Sequence, residues 1–141
     1  IEKRVEKKVK LANGYERLLG IPGIGRILAM TIMLETGPIT RFKGPGNYAS
    51  YCRAVKTEHT SNNRKKAEGN SKCGNKYLAW AYIEAANFAI RYSPELRVWY
   101  QRKESRTKRV VALKAIANKL AKAVYFILRD EVDFDVTRLV G

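Results

Sequence analysis

Apolar residues recur along this chain at helical spacing. Ile1, Val5 and Val9, followed after a small offset by Tyr15, Leu18 and Leu19, form a narrow stripe, with Glu2, Lys3, Arg4, Glu6, Lys7, Lys8 and Lys10 on the other faces. The pattern predicts an amphipathic helix over 1–19, loosened at Asn13-Gly14, that either packs on its own domain or continues into a partner. Gly20, Pro22, Gly23 and Gly25 interrupt it. A second helical run, with Ile27, Leu28, Thr31, Ile32, Leu34 and Glu35, ends at Gly37-Pro38. Phe42 and a Gly-Pro-Gly turn at 44–46 lead into 48–54, whose type the pattern leaves open. From Lys56 to Lys76 no apolar period is sustained, and this Asn-, Lys- and Gly-rich stretch reads as a long loop of the kind that carries function.

Leu78, Ala81, Tyr82, Ala85, Ala89 and Tyr92 restore the period and predict a helix over 76–92, stopped by Ser93-Pro94. A short helix around 95–103 carries Leu96, Trp99 and Tyr100. Leu113, Ile116, Ala117, Leu120, Val124, Ile127 and Leu128 mark a last long helix over 108–129, and the acidic tail from Asp130 is expected to fray. The fold class is therefore mainly α.

Composition narrows the function. The 141 residues suit one domain, and 45% hydrophobic content excludes wholesale disorder. Lys and Arg number 28 against 13 Asp and Glu, a net charge of +15, which makes a polyanion the leading partner. No apolar run approaches the roughly 18 residues of a membrane span and no signal peptide is evident, so no membrane partner is expected. Cys52, Cys73 and His59 are too few for a structural zinc site and give no disulfide framework, which points to the cytoplasm, with nucleoid association. The chain starts at Ile1 inside a helical pattern and reads as a piece of a longer protein. On this reading 1–17 continues a helix from a missing domain, 18–129 is the domain proper and 130–141 is an acidic tail.

Ile21-Pro22-Gly23-Ile24-Gly25 has a physical use between two helices. Glycines at 23 and 25 permit positive φ and leave backbone N–H groups uncovered, and the next helix adds free donors and its positive dipole end. Ile21 and Ile24 would anchor the turn while Arg26 offers a cation, so a phosphate fits here; a tight turn that binds nothing is the plainer reading. The pattern over 18–37 looks like a helix-hairpin-helix element, with Gly23, Ile24, Gly25 and Arg26 holding the nucleic-acid backbone.

Two basic blocks extend the same surface. Residues 53–76 contain Arg53, Lys56, Arg64, Lys65, Lys66, Lys72 and Lys76 against Glu58 and Glu68, and residues 97–122 contain nine basic residues against Glu104. Arg64, Lys65, Lys66, Lys72 and Lys76 are the candidate backbone contacts of the loop. The nearby Tyr77, Trp80, Trp99 and Tyr100 read as core residues before base-stacking ones. No Ser/His/Asp triad or paired carboxylates stand out, no metal ligand set is visible, and Glu35, Glu58, Glu68 and Glu84 look structural.

Taken in order, several strings carry a family resemblance. They are Leu18-Leu19-Gly20-Ile21-Pro22-Gly23-Ile24-Gly25, Ala29, Glu35-Thr36-Gly37, Arg41-Phe42 and Tyr48-Ala49-Ser50-Tyr51-Cys52. Ser61-Asn62-Asn63-Arg64-Lys65-Lys66-Ala67-Glu68-Gly69-Asn70 and Lys72-Cys73-Gly74-Asn75-Lys76-Tyr77-Leu78 follow. Over roughly residues 10–129 the chain resembles the C-terminal domain of bacterial insertion-sequence transposases related to the Piv DNA invertase (the one-ten, one-sixteen and nine-oh-two group). The resemblance implies a transposase whose RuvC-like N-terminal domain holds a divalent metal, magnesium, on four acidic residues. The domain in hand would supply DNA-binding surface and a serine nucleophile, and would need no cofactor of its own. Ser61 takes that position, before a Lys/Gly-rich run ending in Lys-x-Gly-Asn, with Ser71 the reserve. Asn62 and Ala67 replace residues that are often glycine in the family, and Arg53-Ala54-Val55-Lys56 stands where Gly-Leu-x-Pro is usual. The resemblance also implies DNA as partner, a guide RNA for some members, and a homo-oligomer that holds two duplexes. The alternative class is a non-catalytic helix-hairpin-helix module for DNA or structured RNA; a basic helical protein-interaction module explains least.

Overall fold

A computed structural model describes residues 14–54 and 74–140. All regular structure among them is helical: α1 (Tyr15–Leu19), α2 (Arg26–Thr36), a 3-10 turn (Ile39–Arg41), α3 (Pro45–Tyr51), α4 (Lys76–Tyr92), α5 (Pro94–Arg106), α6 (Arg109–Asp130) and α7 (Val136–Val140). The mainly α class is what the periodicity predicts.

Local chemistry accounts for the boundaries. Gly44-Pro45-Gly46 does not make a free-standing turn. Pro45 occupies the first turn of α3, where its missing N–H costs nothing, and Tyr48 N–H closes the first helical bond on the Gly44 carbonyl at 3.2 Å. Ser93 ends α4 and caps α5 in one residue, its Oγ accepting from Leu96 N–H at 3.3 Å. Arg97 then reaches back, its Nε donating to the Ile90 carbonyl at 3.0 Å, so this member of the second basic block closes the end of α4.

The long helix α6 lies at the centre, packed against α4, α3 and α5, while α2 lies along α4. Alanines let these helices approach closely: Ala81, Ala85, Ala86 and Ala89 on α4 face the core, as do Ala112, Ala117 and Ala121 on α6. Leu18, Ile21, Ile32, Leu78, Leu96, Ile116, Leu120 and Val124 fill the rest. Ile27 and Leu34, counted in the helical pattern of α2, are instead 70% and 53% exposed, because the buried stripe is Leu28, Ala29, Ile32 and Thr36.

Inside this apolar core runs a chain of hydroxyls. Thr36 Oγ1 and Tyr48 OH share a hydrogen bond of 2.7 Å, and Tyr48 OH and Tyr82 OH share another of 2.7 Å. Burial pushes both phenols well above the ordinary tyrosine value and the neighbouring Cys52 thiol up to about 12, so all three stay neutral. The tail does not fray. Phe134, Val136, Leu139 and Val140 pack on the core, Lys119 Nζ donates to the Leu139 carbonyl at 2.9 Å, and Arg17 pairs with Asp133 at 2.9 Å. The expected helix over 1–13 falls outside the described residues.

Candidate nucleic-acid interface

Two sites stand at opposite ends of α4, a helix of roughly 25 Å at 1.5 Å per residue. The first is the turn between α1 and α2. Ile21 N–H bonds the Leu18 carbonyl and Ile24 N–H the Ile21 carbonyl, each at 3.0 Å, and both isoleucines are buried anchors. Gly23 has φ 94, and a Cβ there would lie 2.5 Å from the Ala85 carbonyl oxygen and 2.6 Å from Ala89 N. Glycine is thus required at 23 for close approach to α4, as well as for its dihedral. Gly25 departs from the expectation of positive φ. Its φ of −95° and ψ of −170° are extended, and nothing stands within 4 Å of a Cβ. Gly25 caps α2 without a side chain, so no side-chain oxygen covers the first-turn N–H groups beside the exposed Arg26. An open cleft of about 710 Å³ lies between this turn and Phe88 and Tyr92.

The second site is the foot of segment 55–73. Ser61, Ser71, Arg64, Lys65, Lys66 and Lys72 all lie outside the described residues. The two ends of the segment are nevertheless joined closely. Asn75 N–H donates to the Tyr51 carbonyl at 2.7 Å, and Arg53 Nη2 donates to the Gly74 carbonyl at 3.2 Å. Asn75 Oδ1 accepts from Tyr77 N–H at 2.9 Å and Leu78 N–H at 3.0 Å and so caps α4. Its Nδ2 donates to Glu35 Oε2 at 2.9 Å and to Tyr51 OH at 3.2 Å. A side chain at Gly74 would run into Arg53 Cγ. The Gly-Asn of the Lys-x-Gly-Asn run is therefore a clamp: glycine for close approach, asparagine for the cap. Arg53 holds φ 57, a left-handed conformation, where the resembled family usually has glycine. Its Nε is buried with no acceptor among the described residues.

Sequence reasoning left the aromatics and cations unsorted. The buried stripe of α4 runs through Leu78, Ala81, Tyr82 and Ala85, which turns Tyr77 and Trp80 outward, 54% and 50% exposed. Core placement was expected for both and is overturned by that register. Lys76 Nζ lies 5.3 Å from the Tyr77 ring centroid. Tyr100 is buried, and Trp99 is half-buried under Lys119 Nζ, 4.7 Å from the ring centroid. Arg102, Arg106, Lys108 and Arg109 are exposed around the α5–α6 junction. The role of Asn75 had a signal in the sequence, an asparagine just before a helical run. That of Arg53 had none, since its fit depends on Gly74, 21 positions away.

No three His, Cys, Asp or Glu side chains among the described residues gather to hold a metal ion. None of the described helices is long and apolar enough to cross a membrane. The geometry is that of a small helical domain with a backbone-amide turn and a clamped basic segment. The chain belongs to the Transposase IS116/IS110/IS902 family, whose model matches residues 15–101. A probable family 20 transposase of Pseudomonas aeruginosa is 25% identical over 93% of this chain and 40% of its own length. The transposase for insertion sequence element IS1111A of Coxiella burnetii is 25% identical over 90% of the chain and 36% of its own. The transposase for IS1328 of Yersinia enterocolitica is 24% identical over 90% and 39%. The chain thus spans 36–40% of the length of these relatives. No solved structure matches it.

Proposed function

We propose that this chain is the nucleic-acid-binding, serine-bearing part of an insertion-sequence transposase and that it acts in DNA strand exchange. The family match over residues 15–101 carries this reading. The turn at 20–26 holds a phosphate on its backbone N–H groups beside Arg26, and Arg64, Lys65, Lys66, Lys72 and Lys76 hold the strand near the foot of segment 55–73. Ser61 supplies the attacking oxygen, with Ser71 in reserve, and nearby cations stabilise the negative charge that develops on the phosphodiester. The clamp of Arg53, Gly74 and Asn75 supports this assignment because it fixes both ends of the segment that bears the serine. The divalent metal belongs to a RuvC-like domain elsewhere in the protein; the described acidic residues do not form a site for it. The same basic surface serves a guide RNA where the element encodes one, and a homo-oligomer holds the two duplexes.

In the full-length transposase, Ser61→Ala is expected to abolish strand exchange while DNA binding stays within about twofold, and Ser71→Ala to be much milder. A recombination assay with a parallel binding titration checks both. An active Ser61→Ala enzyme overturns the assignment, and if Ser71→Ala alone is inactive the nucleophile moves ten positions along.

A further inference from the structure

Next to the clamped foot, a cavity of about 200 Å³ opens between α4 and α6. Arg53 and Lys114 line it from two different elements, Ala79, Ile83 and Ala117 form its apolar wall, and no carboxylate lines it. The buried Arg53 Nε has no acceptor among the described residues. An unpaired buried donor costs free energy, so a site that leaves one facing a cation-lined cavity is suited to an incoming acceptor. Two cations with no counter-charge select an anion, and the planar guanidinium suits the oxygens of a phosphate.

The flank of this cavity is aromatic. At 100° per residue, Lys76, Ala79, Trp80 and Ile83 fall within one sector of α4, so Trp80 stands beside the wall formed by Ala79 and Ile83. Its ring is 50% exposed, and Lys76 adds a third cation at the start of the same sector. A phosphate in the cavity with a flat apolar ring just outside it describes a nucleotide whose base is free to leave its stack. Bases within a duplex are already stacked on their neighbours and present only their edges in the grooves, so Trp80 is of use only to an unpaired base.

We propose that Arg53, Lys114 and Trp80 form a subsite for one unpaired nucleotide, its phosphate taken by Arg53 and Lys114 and its base stacked on Trp80. This rests on the reading of the chain as a nucleic-acid-binding domain and adds the class of strand bound at the foot of the serine segment.

The chain has two tryptophans, so Trp99→Phe leaves Trp80 as the sole indole reporter. Titrating that variant with single-stranded oligothymidine is expected to quench its emission saturably, and a duplex of equal length to leave it nearly unchanged. In the wild-type background, Trp80→Ala is expected to weaken single-strand binding roughly 5- to 100-fold, from the stacking energy of one base, with duplex binding within twofold. Lys114→Gln is expected to reduce the slope of log affinity against log salt for the single strand by about 0.7, one phosphate contact. Arg53 is left intact in these tests because it also holds Gly74. Far-ultraviolet circular dichroism identifies misfolded variants, and for a misfolded Trp80→Ala, Trp80→Leu replaces it. Duplex binding with no Trp80 response, or equal losses for single strand and duplex, overturns the subsite alone. Binding of neither strand form by the wild-type chain overturns the proposed function with it. Quenching that persists in Lys114→Gln with an unchanged salt slope removes Lys114 from the subsite and overturns the proposal as stated.

Discussion

The Tyr48 hydroxyl stands between two others, 2.7 Å from Thr36 Oγ1 and 2.7 Å from Tyr82 OH, in a core closed to solvent. Removing it leaves the hydroxyls on both sides without their partner, and each buried unsatisfied group costs about 1–3 kcal/mol. Tyr48→Phe is therefore expected to destabilise the fold by about 2–4 kcal/mol. Tyr82→Phe removes only the end of the chain, leaves Tyr48 bonded to Thr36, and is expected to cost roughly 1 kcal/mol. Urea unfolding of the two variants measures the difference; equal losses, or a larger one for Tyr82→Phe, would show that the three hydroxyls do not act as a chain. Periodicity marks Tyr82 as a core position on α4. That its hydroxyl meets Tyr48, 34 positions away, depends on how α3 and α4 cross.

At the level of elements, the turn between α1 and α2 separates two roles that its glycines seem to share in sequence. Gly23 lies against the backbone of α4 with φ 94, so even Gly23→Ala must displace that helix. It is expected to cost more than about 2 kcal/mol of stability. Gly25 is extended with open space around it, and Gly25→Val is expected to stay within about 1 kcal/mol of the parent while weakening nucleic-acid binding by covering the N–H groups at the start of α2. Thermal unfolding and a duplex titration of the two variants separate the roles. A stable Gly25→Val protein with unchanged affinity would mean that the turn only joins two helices. Helix α4 was legible nearly to the residue, since Asn75 and Ser93-Pro94 bracket it with a cap and a stop. Helix α3 was not, because Gly44-Pro45-Gly46 carries the composition of a turn and only the position of Pro45 in the first turn makes it a helix start.

For the molecule as a whole, the net charge of +15 is spread unevenly in use. Arg97 closes α4, Lys119 holds the tail through the Leu139 carbonyl, and Arg17 pairs with Asp133, so these cations are committed to the fold. Desolvation moves the Lys119 ammonium below its ordinary value, as its place between Trp99 and the tail requires. The turn and the foot of segment 55–73 lie at opposite ends of α4, far enough apart to meet different phosphates of one strand path. With on the order of five phosphates held, duplex affinity is expected to fall with a log–log salt slope of about −4 to −5. Titrations from low to physiological salt measure that slope, and an affinity indifferent to salt would contradict a backbone-directed surface.

The sequence by itself determined the helical class, the bounds of α4 and α6, the buried isoleucines of the turn and the cationic character of the surface. Each of these follows from spacing or composition within a few turns of chain. Only the tertiary structure decided which cations are structural, that Tyr77 and Trp80 face outward, that the tail folds back, and that Arg53, Glu35 and Asn75 meet at one foot. Those outcomes depend on contacts between residues 20 to 116 positions apart, set by how α2, α4 and α6 pack, and local pattern does not encode a crossing of helices.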